Sequence, residues 1–302
     1  MEIHSGVYAA LPTPFKSDGR CDEGRLDPII DFLMQAGIAG VCVGGATSEY
    51  ASCDLRERER IFCRAIQRVN GRLAVFMGIG AENRGQTLRL GRIAADCGAK
   101  AALLPPPVFF RYAPEDLADF LAEVAEQLPL PVIFYHIPQF TATLGLRQIL
   151  GLIKTVPNIT GVKDSSGLAR NLVVWERAKK RNNVRIFCGN DRLFQDALVH
   201  GADGAISGIA AFCPELLTAI YRAHQSGQAE KRQALQKLLL EVVRRVDRLP
   251  AIWGIKIALG ARGYALGPLG WKAGARLQGE IEGFKRWIQG WLPVCLQICS
   301  SI

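Results

Sequence analysis

Eight short apolar runs, many of them β-branched, recur along the chain, each followed by a longer stretch of helical periodicity. This alternation constrains the fold more than any single residue does. The runs are Val7 to Leu11, Gly40 to Val43, Leu73 to Gly78, Ala101 to Leu104, Val132 to Tyr135, Ile159 to Lys163, Arg185 to Cys188 and Gly204 to Ser207. Between them lie amphipathic stretches such as Arg25 to Ala36, Leu55 to Val69, Glu82 to Cys97, Pro114 to Gln127 and Asn171 to Arg181. Strand runs alternating with helical runs are the mark of βα units and a parallel sheet. Eight such units close into a barrel, so the expected class is α/β, a (β/α)8 TIM barrel. A doubly wound open sheet would carry a GxGxxG loop after its first strand; here Leu11 is followed by Pro12-Thr13-Pro14-Phe15.

Local signals agree with the periodicity. Asp54 precedes one helix, Pro114 with Glu115 and Asp116 opens another, and Gly98 follows Cys97 where a C-cap belongs. After Ser207 the pattern is helical only, through Glu215 to Ala223, Ala229 to Arg248, Ile252 to Leu259 and Arg276 to Ile288. The expected organisation is residues 1–210 for the barrel strands and catalytic face, with 211–302 supplying the final barrel helix and a C-terminal helical extension of the same domain.

With 302 residues, 49% hydrophobic and 22% charged, the chain can bury one large core. Nine cysteines, odd in number and mostly inside apolar runs, predict reduced thiols in a cytosol. Cys295 and Cys299 are close in sequence but lack a second pair or a nearby histidine, and His4, His136, His200 and His224 show no ligand spacing, so no metal site is expected. The start, Met1-Glu2-Ile3-His4, lacks a basic leader and no apolar run reaches membrane-span length, which predicts a soluble cytoplasmic protein without membrane contact. A net charge of +9 raises the question of nucleic acid. The cations do not cluster: Arg56-Glu57-Arg58-Glu59-Arg60 alternates in sign, and Lys179-Lys180-Arg181 ends a helix. Solvated helix faces account for them, and no nucleic-acid partner is expected.

In a (β/α)8 barrel chemistry gathers at the C-terminal ends of the strands. There the sequence places Gly44-Gly45-Ala46-Thr47, Tyr135-His136, Lys163-Asp164, Gly189-Asn190-Asp191 and Ser207-Gly208. An ammonium inside a barrel either pairs with an acid or gives up its proton, and a neutral lysine attacks carbonyls. The plainer reading of Lys163 is a strand end paired with Asp164. For Gly44-Gly45 it is a tight turn, and for Tyr135 an amphipathic rim residue.

Five segments in order, GVYAALPTPF (6–15), VGGATSEY (43–50), IFYHIP (133–138), GVKDSSG (161–167) and GADGAISG (201–208), make the chain resemble the dihydrodipicolinate synthase and N-acetylneuraminate lyase family of class I aldolases. The likeness covers nearly the whole chain. It implies that Lys163 forms a Schiff base with pyruvate or another 2-oxo acid and that Tyr135 moves protons. It further implies that Gly45, Ala46 and Thr47 receive the carboxylate and that Ile206 packs near the pyruvyl group. The family uses no metal or organic cofactor and forms homo-oligomers, dimers or tetramers.

Three positions depart from the family pattern. Ala46 stands where a relay hydroxyl is usual, Phe109 where a neighbouring subunit's tyrosine is contributed, and Phe140 where dihydrodipicolinate synthases carry an arginine for the second carboxylate. A phenyl ring cannot reproduce a bidentate guanidinium grip. The expected function is therefore a Schiff-base lyase acting on a 2-oxo acid, not a dihydrodipicolinate synthase, with Phe109 and Phe140 lining a less polar substrate cavity. Dehydration of a 2-oxo-3-deoxy sugar acid through the same imine, and a 2-oxo acid binding protein without turnover, are the alternatives.

Overall fold

The structure, a computed structural model, describes residues 3–300. Its eight strands form a closed barrel in sequence order, every neighbour parallel, with β8 returning to pair with β1. They are β1 Gly6–Ala10, β2 Gly40–Val43, β3 Ala74–Gly78, β4 Ala101–Leu104, β5 Val132–His136, β6 Ile159–Asp164, β7 Arg185–Cys188 and β8 Gly204–Ser207. Each lies within about one residue of its sequence-predicted run, because segments apolar on both faces have few competing readings. The helices are α1 Leu26–Gln35, α2 Leu55–Val69, α3 Arg84–Cys97, α4 Pro114–Glu126, α5 Leu146–Thr155, α6 Arg170–Asn182, α7 Phe194–Val199 and α8 Pro214–Gln225 around the barrel. The extension follows with α9 Ala229–Val246, α10 Trp253–Ala261 and α11 Ala275–Ser300.

Two apolar clusters result from the strand period of two. Outward residues such as Val7, Val41, Phe134 and Val162 pack under the helices, while Tyr8, Cys42, Phe76, Leu103, Ile133, Tyr135, Phe187 and Ile206 fill the barrel. Tyr8 stacks on Phe76 at 4.2 Å between ring centroids and meets Phe187 edge-on at 5.4 Å. The Tyr8 hydroxyl donates to the His4 carbonyl at 2.8 Å. This aromatic layer floors the barrel.

Two expectations require correction. Cys63 on α2 and Cys97 on α3 are joined as a disulfide, so the prediction that all thiols are reduced fails there; the other seven cysteines are free. Their Cα atoms are 5.4 Å apart because the two helices pack side by side, a proximity invisible at a sequence separation of 34. The last helix also runs on to Ser300, well beyond Ile288 and through Pro293. Ile288, Leu292 and Cys295 continue one buried stripe at helical spacing, and that packing outweighs the proline. Cys295 faces Cys213, sulfur to sulfur, at 3.9 Å. No helix of the described residues is long and apolar enough to cross a membrane.

Candidate active site

The geometry of the site begins with an irregularity in β6. Val132 pairs with Ile159, but Ile133 pairs with Gly161, so Thr160 is an extra residue, a β-bulge. Strict alternation from Ile159, which packs outward, would also turn residue 163 outward. The bulge reverses the phase. Val162 then packs outward, and Tyr135 and Lys163 become direct ladder partners at the barrel's C-terminal end. Lys163 is only 4% exposed, and its Nζ lies 4.1 Å from the centre of the Tyr135 ring.

Asp164 takes the other side of the strand. Its carboxylate accepts from the Ser166 N–H at 2.8 Å, from Asn171 Nδ2 at 3.2 Å and from the Trp175 indole. The plain pairing of Lys163 with Asp164 therefore does not form, and no ion pair engages Lys163 among the described residues. On the adjacent strand β7, Phe187 of the floor pairs in register with Lys163. Gly189, just past β7, leaves room for it: a Cβ there would stand 2.9 Å from Lys163 Cε and 2.1 Å from Ser165 Oγ.

The loop after β2 is built for close backbone approach. Gly44 has φ +73°, and a Cβ on it would meet the Phe62 ring at 2.5 Å and the Gly78 carbonyl at 2.9 Å. Ala46–Ser48 form a short 3-10 turn. Ser48 Oγ accepts from the Gly44 N–H at 2.8 Å and donates to the Leu11 carbonyl at 2.6 Å, while Thr13 Oγ1 donates to the Ser48 carbonyl at 2.6 Å. Glu49, at φ +50°, is ion-paired with the buried Lys256 of α10, without a directed hydrogen bond. Lys256 Nζ also lies 4.6 Å from the Phe15 ring centre. The loop is thus anchored by β1, by its own serine and by the C-terminal extension.

Gly45, Ala46, Tyr135 and Phe140 line one pocket, together with Tyr50, Leu103, Pro105, Ile137 and Thr141. Phe140 stands on the rim, 65% exposed. Ile206 is buried in the interior cluster that contains Tyr135. Thr47 sits half-buried on the adjacent turn, beside Gly208, where an added Cβ would come within 3.4 Å of Thr47 Oγ1. Phe109 is not gathered with them. It is 92% exposed at φ +78°, edge-on to Phe110, and borders a separate cleft with Tyr50, Cys53 and Arg58.

Three polar residues at the mouth escaped sequence reading. Tyr50 brings a second phenol to the Tyr135 pocket, raised by burial against the pull of Arg58, whose guanidinium lies 5.0 Å from its ring centre. Arg58 itself donates to the Gly80 and Gly78 carbonyls at 2.7 and 2.8 Å, and burial lowers it to about 10. Asp191 lies beyond β7 within the field of Lys163. Burial pushes its carboxyl up to about 6, while a Ser207 hydrogen bond and Lys163 pull it down. Asp191 had one sequence signal, its position after a strand end, whereas Arg58, expected on a solvated helix face, is buried instead.

A closed parallel barrel with an unpaired lysine and a tyrosine side by side at its C-terminal mouth defines a barrel of the class I aldolase type. The chain belongs to the Dihydrodipicolinate synthetase family, whose profile it matches over residues 3–270. It is 30% identical over 260 residues to a probable 2-dehydro-3-deoxy-D-pentonate aldolase of Escherichia coli K12, covering 85% of this chain and 84% of that one. It is 29% identical over 273 residues to a 4-hydroxy-tetrahydrodipicolinate synthase of Pseudomonas aeruginosa, covering 88% and 92%. Among solved structures, a prophage protein of the dihydrodipicolinic acid synthase family from E. coli K12, in complex with pyruvate, superposes with a TM-score of 0.89 at 25% identity, covering 96% of this chain and 99% of that one.

Proposed function

We propose that the protein is a cytoplasmic, homo-oligomeric Schiff-base lyase that cleaves a 4-hydroxy-2-oxo acid to pyruvate and an aldehyde, or runs the reverse condensation. The observation that carries this reading is Lys163: buried, without an acid partner, and stacked over Tyr135 above an aromatic floor. The substrate carboxylate lies on the backbone of Gly45 and Ala46 with the Thr47 hydroxyl beside it, which presents the 2-oxo carbon to Lys163 Nζ. Addition and loss of water give an iminium. Removal of the proton from the C4 hydroxyl breaks the C3–C4 bond, its electrons pass into the iminium as an enamine, and the aldehyde leaves. Protonation at C3 and addition of water then release pyruvate and restore the amine. Tyr135 carries protons in these steps, and Tyr50, in the same pocket, offers the hydroxyl that Ala46 lacks.

Phe140 in place of an arginine, beside Leu103, Pro105 and Ile137, argues against a second carboxylate in the pocket and hence against dihydrodipicolinate synthesis. The pyruvate complex of the E. coli relative supports the 2-oxo acid half of the reading. Incubation with pyruvate and cyanoborohydride is expected to leave a reduced pyruvyl adduct on the wild type and none on Lys163→Ala, read by intact mass. An unmodified wild type would sink the proposal. Turnover is read by coupling to lactate dehydrogenase: pyruvate release marks a lyase, whereas loss of substrate without pyruvate marks the dehydratase. Adduct formation with no turnover across an aldehyde panel marks a binding protein.

A further inference from the structure

Two free thiols stand against each other beside the carboxylate loop. Cys21 lies in the loop after β1, where its backbone bridges to Phe15. Cys53 closes the second 3-10 turn after β2. The sulfurs are 3.2 Å apart across a separation of 32 residues. One side chain holds both segments: Glu57 of α2 accepts the Cys21 N–H on one oxygen at 2.9 Å and the Asp54 N–H on the other at 3.0 Å. Cys21 is buried, whereas Cys53 is half-buried and opens onto the cleft lined by Tyr50, Arg58 and Phe110. The hydrogen bond from Cys21 holds the Cys53 thiol below its ordinary range, against burial and the Glu57 carboxylate, so Cys53 is the more readily ionised.

We propose that Cys21 and Cys53 form a reversible dithiol–disulfide site whose oxidation displaces the loop that receives the substrate carboxylate. The oxidant is a small-molecule disulfide. Cys53 thiolate attacks one of its sulfurs, and the other leaves as a thiol. Cys21, losing its proton, then attacks Cys53 sulfur and expels the second thiol. The two protein thiols give up two electrons and two protons, and the reagent becomes two thiols.

A thiophilic divalent cation is the competing occupant, since Cys21, Cys53 and Glu57 place their donor atoms within 4.8 Å of one another. Geometry favours the disulfide. Two thiolates on one tetrahedral zinc, with Zn–S near 2.3 Å, stand about 3.8 Å apart, more than the 3.2 Å between these sulfurs. Both Glu57 oxygens already hold N–H groups. Forming the bond draws the sulfurs to about 2.05 Å, a movement of roughly 1 Å. Cys53 is joined to the Ala46–Ser48 turn through only four residues, and a misplacement of about 1 Å at a reacting site costs up to on the order of 10²-fold in rate. The effect on turnover rests on the function proposed above; the bond itself does not.

The test uses the full chain, reduced and then equilibrated with rising ratios of oxidised to reduced glutathione, followed by peptide mass mapping. A linked Cys21–Cys53 peptide is expected in the wild type and in neither Cys21→Ser nor Cys53→Ser. Cys21→Ser should instead accumulate glutathione on Cys53. Oxidised wild type should lose tenfold or more of its turnover and regain it with dithiothreitol, while Cys53→Ser stays insensitive. No linked peptide at the most oxidising ratio, or stoichiometric zinc in the protein as purified, overturns the site. A linked peptide with unchanged turnover overturns the loop displacement. If the reduced wild type forms no pyruvate adduct, the proposed lyase fails while the peptide map still decides the disulfide.

Discussion

The reactivity assigned to Lys163 depends on residues that do no chemistry themselves. Gly189 is the sharpest case, because a methyl group there would meet Ser165 Oγ at 2.1 Å and the lysine stem at 2.9 Å. Gly189→Ala is expected to leave the circular dichroism spectrum intact yet slow pyruvate adduct formation by tenfold or more; adduct formation at the wild-type rate would show that the lysine stem yields freely. Asp191 permits a pH test. Its carboxyl, raised to about 6 by burial and by Asp247, favours the protonated form in the folded state. A raised carboxyl contributes stability below the ordinary carboxylate range, near pH 4, that is lost as pH rises through about 6. Asp191→Asn carries no charge, so its melting temperature relative to wild type should be more favourable at pH 8 than at pH 5. A difference that stays flat across that range would contradict the assigned shift.

At the scale of elements, β6 and the β2–α2 connection carry the site. Thr160 is the extra residue that re-phases β6, so its deletion removes the bulge while Ile159, now followed directly by Gly161, keeps Val162 outward and Lys163 inward by plain alternation. The deletion variant is expected to fold and to keep the pyruvate adduct; loss of the adduct with the fold intact would show that the bulge itself, and not only the phase it sets, positions the lysine. On the outer layer, α2 is laced to α1 and the turn before it by Arg60–Glu23, Arg64–Asp27 and Arg68–Asp31, each with an exposed arginine on a half-buried acid. Such pairs contribute about 0–1 kcal/mol each and weaken with salt. They account for much of the basic character of α2 without invoking a polyanion.

For the whole molecule, the exposed Phe109 and Phe110 are out of keeping with a free monomer surface. Phe109 is moreover held at φ +78°, a conformation a bulky residue keeps only when something else gains from it. The proposed homo-oligomer supplies that gain. Light scattering on the purified protein should give a dimer or tetramer mass, and the double variant Phe109→Ser, Phe110→Ser should shift it toward the protomer. A wild-type protomer mass at micromolar concentration would remove the expectation.

The eight strands, the N-cap at Asp54, the C-cap at Gly98 and the strand-end positions of Tyr135 and Lys163 were all legible in the chain, because each follows from local period or local capping. What the tertiary structure alone decided are relations between segments distant in sequence. The bulge at Thr160 exists only in the register of β6 against β5. The room beside Gly189, the phenol of Tyr50 in the Tyr135 pocket, the Cys63–Cys97 bond and the Cys21–Cys53 contact all join residues from different βα units. A helical or strand period reports which face a residue occupies, and only packing of the closed barrel determines what that face meets.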